Sequence, residues 1–577
     1  MDARQSRGAG QYIAPSSPQA CKHPSSFIYS DRKKDKPMPL FCRSVSSPVA
    51  RSAVGLCLAV LAVSASAQDA AAQWQPHLDL EGKLGNKRNI GEADLFLPIT
   101  QDARTLYFAN VRTRFDNEGS REGNFGLGMR RMLENGWNLG TYGYFDRRRS
   151  SDTGFYYNQT TLGIEALGPD FDLRANAYVP IGTKAHSLGG TSTAALSGST
   201  VQVTTVNREE RSLQGLDAEA GWRLPIFDSE ARRQLRVYLG GYRFSGAGIA
   251  VNGPRARAEL AFEDLDWFGR GTALFLGAEA QHDDARGSQQ FVSIRLRIPL
   301  DKVDGVRSPL SAQARRMTAP VVRDVDVVTQ SRVASRVVET ATSTANGQAF
   351  TLVNSDTVST AAALNNALTT AGNGATILLT GTFNTTATIQ MLPNQTLTGI
   401  LAVRSASGYT ATINTGAAIN AVNATRTLNV DSGGTVSGLT LSNTFSGGTG
   451  GYVIAVNSTA TNVTIANNII TVRQNGNNAA AGVVFASNSG VVRDNSITVT
   501  GNGFGTMTAL AANAGTNTLT VANNTLSASG GSNNYLVWSW TGTTFNANST
   551  GNVRNGGSCN GASASGSVVF TDSSHCP

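Results

Sequence analysis

From Trp74 to Leu300 the chain alternates apolar and polar residues in segments separated by turn residues. In 105–115, Tyr107, Ala109, Val111, Thr113 and Phe115 share one parity, while Asn110, Arg112 and Arg114 share the other. In 233–244, Leu235, Val237 and Leu239 oppose Arg236, Tyr238 and Tyr242; in 254–264, Ala256, Ala258, Leu260 and Phe262 oppose Arg257, Glu259 and Glu263. In 291–298, Val292, Ile294, Leu296 and Ile298 oppose Ser293, Arg295 and Arg297. Side chains alternate across a strand, so each segment has one greasy and one polar face. The pattern predicts twelve strands: 77–85, 91–99, 105–115, 122–132, 136–147, 155–167, 171–181, 213–226, 233–244, 254–264, 271–283 and 290–300.

A soluble sandwich also alternates. These segments are long, however, and their polar parity carries full charges, as a wet lumen allows. Trp137, Trp222, Trp267 and Phe268 sit near strand ends, where a membrane barrel places its aromatic girdles. The expectation is a closed antiparallel transmembrane barrel over 68–300, with Asn110, Arg112, Arg114, Arg257, Glu259, Arg295 and Arg297 facing the lumen. Connections after even-numbered strands are short, such as Leu133-Glu134-Asn135 and Gly168-Pro169-Asp170. Those after odd ones are generally longer, and 182–212 is the longest. Bacterial barrels keep short turns in the periplasm, so the last strand is expected to end there.

Beyond 345 the pattern changes. Short aliphatic and β-branched runs repeat: Val436-Ser-Gly-Leu439-Thr-Leu441, Ile465-Ala-Asn-Asn468-Ile-Ile470, Val492-Arg-Asp-Asn495-Ser-Ile497 and Val521-Ala-Asn-Asn524-Thr-Leu526, with a weaker copy at Phe545-Asn-Ala-Asn548-Ser-Thr550. Each copy reads as a short strand, an Asn turn suited to the left-handed conformation, and another strand. Such a unit buries its apolar side only by stacking on its neighbours. The expectation for 345–577 is a right-handed parallel β-helix, capped at its open end by a helix over Thr360 to Thr370. Gly374 to Gly381 and Asn394 to Gly399 resemble the first coils of pectate-lyase-like β-helices.

Between the two regions, Ser308-Pro309 is a helix-start signal and Leu310 to Met317 has room for two turns, with Arg315 and Arg316 at the favourable C-terminal end. Val321 to Arg336 then alternates charge and valine.

Length and composition sharpen this picture. A chain of 577 residues exceeds one hydrophobic core. Only 15% charged and 7% aromatic, with 61 glycines, it reads as repetitive β-structure rather than a cytosolic enzyme. Arg43 and Arg51 precede an apolar run, Ala53 to Val63, and then Ala65-Ser66-Ala67. This reads as a secretory signal, with cleavage expected after Ala67 leaving Gln68 first; Met38 would give it a normal length, and 1–37 would precede the true start. The run is too short for a ~30 Å membrane core, and no later segment is apolar enough for a spanning helix, so any crossing falls to strands. Past the cleavage point only Cys559 and Cys576 remain, a pair that reads as a disulfide in an oxidising compartment. The net charge of +8 lies in the signal, barrel and linker, and gives no case for nucleic acid.

Several ordered motifs carry a family resemblance: Trp74, Phe96-Leu97-Pro98, Phe108-Ala109-Asn110-Val111-Arg112, Asn124-Phe125-Gly126-Leu127-Gly128-Met129-Arg130, Gly143-Tyr144-Phe145-Asp146, Gly163-Ile164-Glu165 and Arg174-Ala175-Asn176-Ala177-Tyr178-Val179-Pro180. Over roughly 74–335 the chain resembles the β-domain of the intimin and invasin group, the inverse autotransporters. The resemblance implies a twelve-stranded outer-membrane barrel, inserted among lipids by the barrel-assembly machinery. It also implies a plug helix (Ser308, Pro309, Arg315, Arg316) and a pore-threading linker over 301–344. The C-terminal part would then be exported to the cell surface, commonly as an adhesin. Two departures stand out. The passenger reads as a β-helix instead of immunoglobulin-like modules, and no peptidoglycan-binding module fits between Ala67 and the first strand. Receptor identity is therefore not carried over, and the ligand could be a host cell, a glycan or a neighbouring bacterium.

No catalytic, cofactor-binding or metal-ligating set is read in this sequence. From 345 on there is no Lys and no Glu, and Asp356, Asp431, Asp494 and Asp572 are too scattered for the carboxylate cluster of a glycosidase. Tyr535, Trp538 and Trp540 are candidate ligand contacts, although packing in the last coil competes for at least one of them. The alternatives are a porin-like channel with a periplasmic β-helix and a surface polysaccharide-degrading enzyme.

Overall fold

The computed structural model describes residues 73–577 except 266, 269–270, 301–309, 325, 423, 448–451 and 487. The signal residues Ala65, Ala67 and Gln68, and Ser308 and Pro309, lie outside the described residues.

Alternating parity closes into a barrel. Its strands are β1 (His77–Gly85), β2 (Ile90–Gln101), β3 (Thr105–Asp116), β4 (Arg121–Met132), β5 (Asn138–Arg149), β6 (Tyr156–Leu167) and β7 (Phe171–Ile181). An excursion of two strands follows, β8 (Ala185–Ser197) and β9 (Thr200–Ser212). The barrel resumes with β10 (Gln214–Leu224), β11 (Arg233–Gly246), β12 (Ile249–Leu265), β13 (Thr272–Asp283) and β14 (Gly287–Pro299). β7 pairs directly with β10 and β1 with β14, so twelve antiparallel strands leave no edge. One parity, including Phe115, Leu127, Leu162, Leu239 and Val292, is exposed on the outer wall, as a lipid-facing band requires. The other is buried inside. There Gly126 and Gly128 make room, since a methyl group at either would overlap the ring of Tyr144 or Phe108.

Two connections differ from the sequence reading. Residues 182–212 are a β-hairpin rather than an open loop. Odd-strand connections are otherwise short, because β11 and β12 run on until only 247–248 separate them. The asymmetry between the two barrel ends therefore rests on the one hairpin.

Between Phe350 and Gly561 the strands stack as a parallel β-solenoid of three sheets, the first eight strands wide and the others seven among the described residues. The inward column Ile377, Leu397, Val436, Ile465, Val492 and Val521 lies in register from coil to coil and is fully buried. Each such side chain contributes about 1.5–3 kcal/mol by leaving water. At the turn between the first two sheets, Gly438, Asn467, Asp494, Asn523 and Gly551 take positive φ. The residue after each of the last four is a buried Asn, and these form an amide ladder: Asn468 N donates to Asn495 Oδ1 (2.9 Å), Asn495 N to Asn524 Oδ1 (3.0 Å) and Asn524 N to Asn552 Oδ1 (3.0 Å). The last rung is Asn552, and Asn548 of the weak fifth copy is exposed. The open end is capped by Ala361–Ala371, whose N-cap Thr360 accepts from Ala363 N, with Leu364 and Leu368 buried against the first coils. At the other end Cys559 and Cys576 are joined by a disulfide.

Candidate functional site

Two places concentrate chemistry: the barrel lumen and the outer face of the third solenoid sheet.

Residues 310–324 and 326–328 run inside the barrel from one rim to the other. Helix α1 (Ala312–Arg315) is capped by Ser311, whose Oγ accepts from Ala314 N, and a 3-10 turn continues to Thr318. It is shorter than the two turns expected over 310–317. At this rim Gln313 Nε2 donates to Leu133 O (2.8 Å), Trp74 Nε1 donates to Ala314 O (2.8 Å), and Arg315 pairs with Glu263 (2.6 Å). Arg316 pairs with Asp172 at 2.6 Å.

Above the helix, Arg130 of β4 donates through Nη1 to the carbonyls of Met317 (2.8 Å) and Ala319 (2.6 Å), while its Nε pairs with the buried Glu165 (2.6 Å). Arg323 pairs with Asp146 at 2.7 Å and lies 3.9 Å over the Tyr144 ring. At the opposite rim Arg148 Nη1 donates to Val327 O (2.6 Å), Val327 N donates to Glu122 (3.1 Å), and Arg88 bridges Asp116 and Asp326. An extended backbone has unpaired N–H and C=O groups. The wall's arginines and carboxylates supply partners for several of them, as a segment without secondary structure requires.

The sequence-derived lumen residues all lie on the inner wall. Asn110 bonds Asp94, Arg112 Nε donates to Asn124 Oδ1 (3.0 Å), and Arg114 pairs with Glu92 (2.5 Å). Arg257 pairs with Glu219 (2.8 Å), Arg295 with Glu259, and Arg297 meets Asp79 through both Nε (2.9 Å) and Nη2 (2.8 Å). The polar contacts of the segment fall mostly on β4, β5 and β7, and Met317 and Val321 pack on Phe96, Phe108 and Tyr144. On the far side a cavity of about 340 Å³ remains, lined by Arg236, Arg257, Glu259 and Phe275 among others. The sequence pattern does not single out the residues that hold the segment: Arg130, Arg148, Asp146, Asp172 and Arg323. Parity alone places the wall residues inward, but nothing local announces their partners.

The third solenoid sheet, from Ile389–Gln390 through Val453–Ser458 to Asn533–Ser539 and Ser558–Gly561, carries two columns on the side away from the main core, and their middle members Ile454, Ala481, Val484, Thr508 and Ala511 are buried. One is Arg426, Ile454, Ala481, Thr508, Tyr535; the other is Asn429, Asn457, Val484, Ala511, Trp538. Asn457 Nδ2 donates to Asn429 Oδ1 (3.1 Å) and Asn429 Nδ2 to Gln390 Oε1 (3.0 Å), an amide ladder on the outside. Tyr452 and Trp538 pack over Ile454, Ala481, Val484 and Ala511. Trp540 is 48% exposed, with its ring 6.1 Å from that of Trp538. Tyr535 is half-buried. The structure thus gathers Tyr535, Trp538 and Trp540 as part-exposed rings at one end of a buried apolar strip bordered by amides. Asp356, Asp431, Asp494 and Asp572 stay apart, and Asp494 pairs with Arg493 (2.7 Å). Among the described residues no group of three His, Cys, Asp or Glu is placed to hold a metal ion.

Residues 63–292 match the family model of the inverse autotransporter β-domain. No curated protein matches the chain. Among solved structures, the chain is similar to a protein from a study of in-meso crystallization of membrane proteins. They are 17% identical, over 44% of this chain and 100% of that one, with a TM-score of 0.32. It is also similar to the β-domain of the Bordetella autotransporter Brka (14%, 39% and 99%, TM-score 0.22) and to the translocator domain of NalP from Neisseria meningitidis (9%, 44% and 96%, TM-score 0.19).

Proposed function

Because residues 63–292 match the inverse autotransporter β-domain family, we propose that this outer-membrane protein displays its own solenoid at the cell surface as an adhesin. The observation that carries the proposal is the course of residues 310–324 and 326–328 through the lumen, held by Arg130, Arg148 and Arg323. Twelve strands begin and end a barrel at the same rim, so a chain leaving β14 reaches the other rim only through the pore. The rim at which it emerges carries the hairpin β8–β9, the longest connection, and long connections face outward in bacterial barrels. On this reading 1–67 is the signal-bearing extension, 68–300 the lipid-embedded anchor inserted by the barrel-assembly machinery, 301–344 plug and linker, and 345–577 the passenger.

The passenger's contribution is recognition. The strip ending in Tyr535, Trp538 and Trp540 offers aromatic rings beside a row of amides on an almost uncharged surface. That chemistry favours a host or bacterial surface ligand over a nucleic acid or a catalysed reaction. Protease added to intact cells, read with an antibody to residues 400–577, tests display. Digestion with the outer membrane sealed supports it. Digestion only after permeabilisation overturns it and leaves a periplasmic solenoid.

A further inference from the structure

We propose that the β8–β9 hairpin is a strand acceptor that catches the emerging chain and templates the first coils of the solenoid, an inference that rests on the display reading. The hairpin takes no part in the barrel wall, since β7 and β10 pair directly beneath it. One edge of β9 is paired with β8, from Ala185 opposite Arg211 to Ser197 opposite Thr200. Its other edge is paired antiparallel with β15 (Thr329–Thr344), from Thr329 opposite Ser212 to Thr340 opposite Gln202. Until the linker arrives, that edge is a long row of open N–H and C=O groups. Proteins avoid such edges unless something is meant to add to them.

Polar markers fix where it adds. Arg332 Nε donates to Glu209 (2.9 Å) and its Nη1 to the carbonyl of Ala247 in the β11–β12 turn, while Asn207 Nδ2 donates to Ser335 Oγ (3.0 Å). A slip of one residue would break each of these and turn every side chain to the opposite face.

The captured strand then receives the passenger. Past Ala341 its free edge pairs with β16 (Ile400–Ser405), which pairs with β17 (Thr410–Asn414), a hairpin projecting from the second coil. Glu339 of β15 accepts from Ser407 N (3.1 Å) and Oγ (2.5 Å). Val201 and Val203 of β9 close a small core with Ala341, Val403 and Ile413, and with Leu378 of the first coil. A single coil cannot bury its outer face, and parallel pairing is slow to nucleate because its contacts are distant in sequence. Here the barrel's hairpin supplies the missing cover before later coils exist.

The test compares full-length chains in intact cells: wild type, a chain with 185–212 replaced by a short turn, and Glu209→Arg with and without Arg332→Glu. Barrel insertion is read separately with an antibody to an outer turn. The expected result is that the passenger of the hairpin-less and Glu209→Arg chains reaches the surface but loses the wild type's resistance to mild protease, and that Arg332→Glu restores it in the Glu209→Arg chain. Equal resistance in all four chains overturns the template. If the wild-type passenger is not reached from outside at any dose, the display reading fails. The template is then judged by the same comparison after the outer membrane is opened.

Discussion

Arg323 of the lumen segment meets Asp146 of β5 at 2.7 Å, with both side chains almost wholly buried. Asp146 also accepts from Asn124 (2.7 Å) and Thr161 (2.5 Å), so the wall carboxylate is fixed without the linker and the linker is fixed by it. Breaking one partner of a buried pair costs about 3–5 kcal/mol. Arg323→Ala is therefore expected to loosen 319–328 while leaving the barrel closed, and Arg130→Ala added to it should free the carbonyls of Met317 and Ala319. In planar bilayers the double variant is expected to conduct ions steadily where the wild type is nearly silent. A silent double variant would show that these contacts do not keep the pore shut.

The solenoid has an equivalent internal dependence. The two N–H groups of Asn495 Nδ2 are shared among Ile465 O (2.8 Å), Arg493 O (2.9 Å) and Asn524 Oδ1 (3.0 Å), and its Oδ1 accepts from Asn468 N. Asn495→Ala leaves buried carbonyls and an N–H without partners, each costing about 1–3 kcal/mol. A loss of roughly 2–4 kcal/mol in the solenoid's denaturant unfolding is expected, against almost none for Asn548→Ala, whose side chain is exposed. Equal effects at both positions would mean that the ladder is not the stabilising element.

That contrast also marks how far the sequence could be read. Strand parity has period two and needs no partner to be recognised, so Asn110, Arg112 and Arg114 could be assigned to the inside from their spacing alone. Spacing fails where a partner far along the chain decides. Arg130 finds its carbonyl acceptor 187 residues away. Residues 185–212, rich in Ser, Thr and Gly, read as loop until β15 pairs with them. In the sequence the weak fifth copy, Phe545-Asn-Ala-Asn548-Ser-Thr550, aligns Asn548 with the earlier Asn positions. In the structure Phe545 stacks on Leu519, and the ladder resumes only at Asn552, after the positive-φ Gly551.

Acid should weaken the β9–β15 junction. Glu209 accepts from Arg211 (3.0 Å), the larger influence, and from Arg332 (2.9 Å), and both hold its carboxyl below its ordinary value of 4.5. Glu339 is likewise held down by hydroxyls of Ser405 and Ser407. A carboxylate with a depressed folded-state pKa stabilises fully above its unfolded value and loses that contribution as pH falls through the folded one. Hydrogen exchange over 329–344 should therefore be constant from pH 7 to about 5, once corrected for intrinsic rates, and should quicken relative to the solenoid core below about pH 4. The pair Glu209→Gln and Glu339→Gln should abolish that acid step. Its persistence would assign the step to other groups.

Trp538 and Trp540 separate packing from recognition. Trp538 lies over Val484 and Ala511, whereas Trp540 stands half in solvent beside it. Truncating a packed aromatic costs about 3–5 kcal/mol when it is fully buried, and proportionately less here. Trp538→Ala is thus expected to lower solenoid stability by roughly 1–3 kcal/mol and to weaken adhesion partly for that reason. Trp540→Ala should leave stability within about 0.5 kcal/mol, as at surface positions generally, yet reduce attachment of cells carrying the full chain to host cells or to one another. Denaturation midpoints and an attachment count on the same two variants decide the matter. Unchanged attachment in Trp540→Ala would move the contact surface away from this strip and leave the Trp pair as a cover for the last coils.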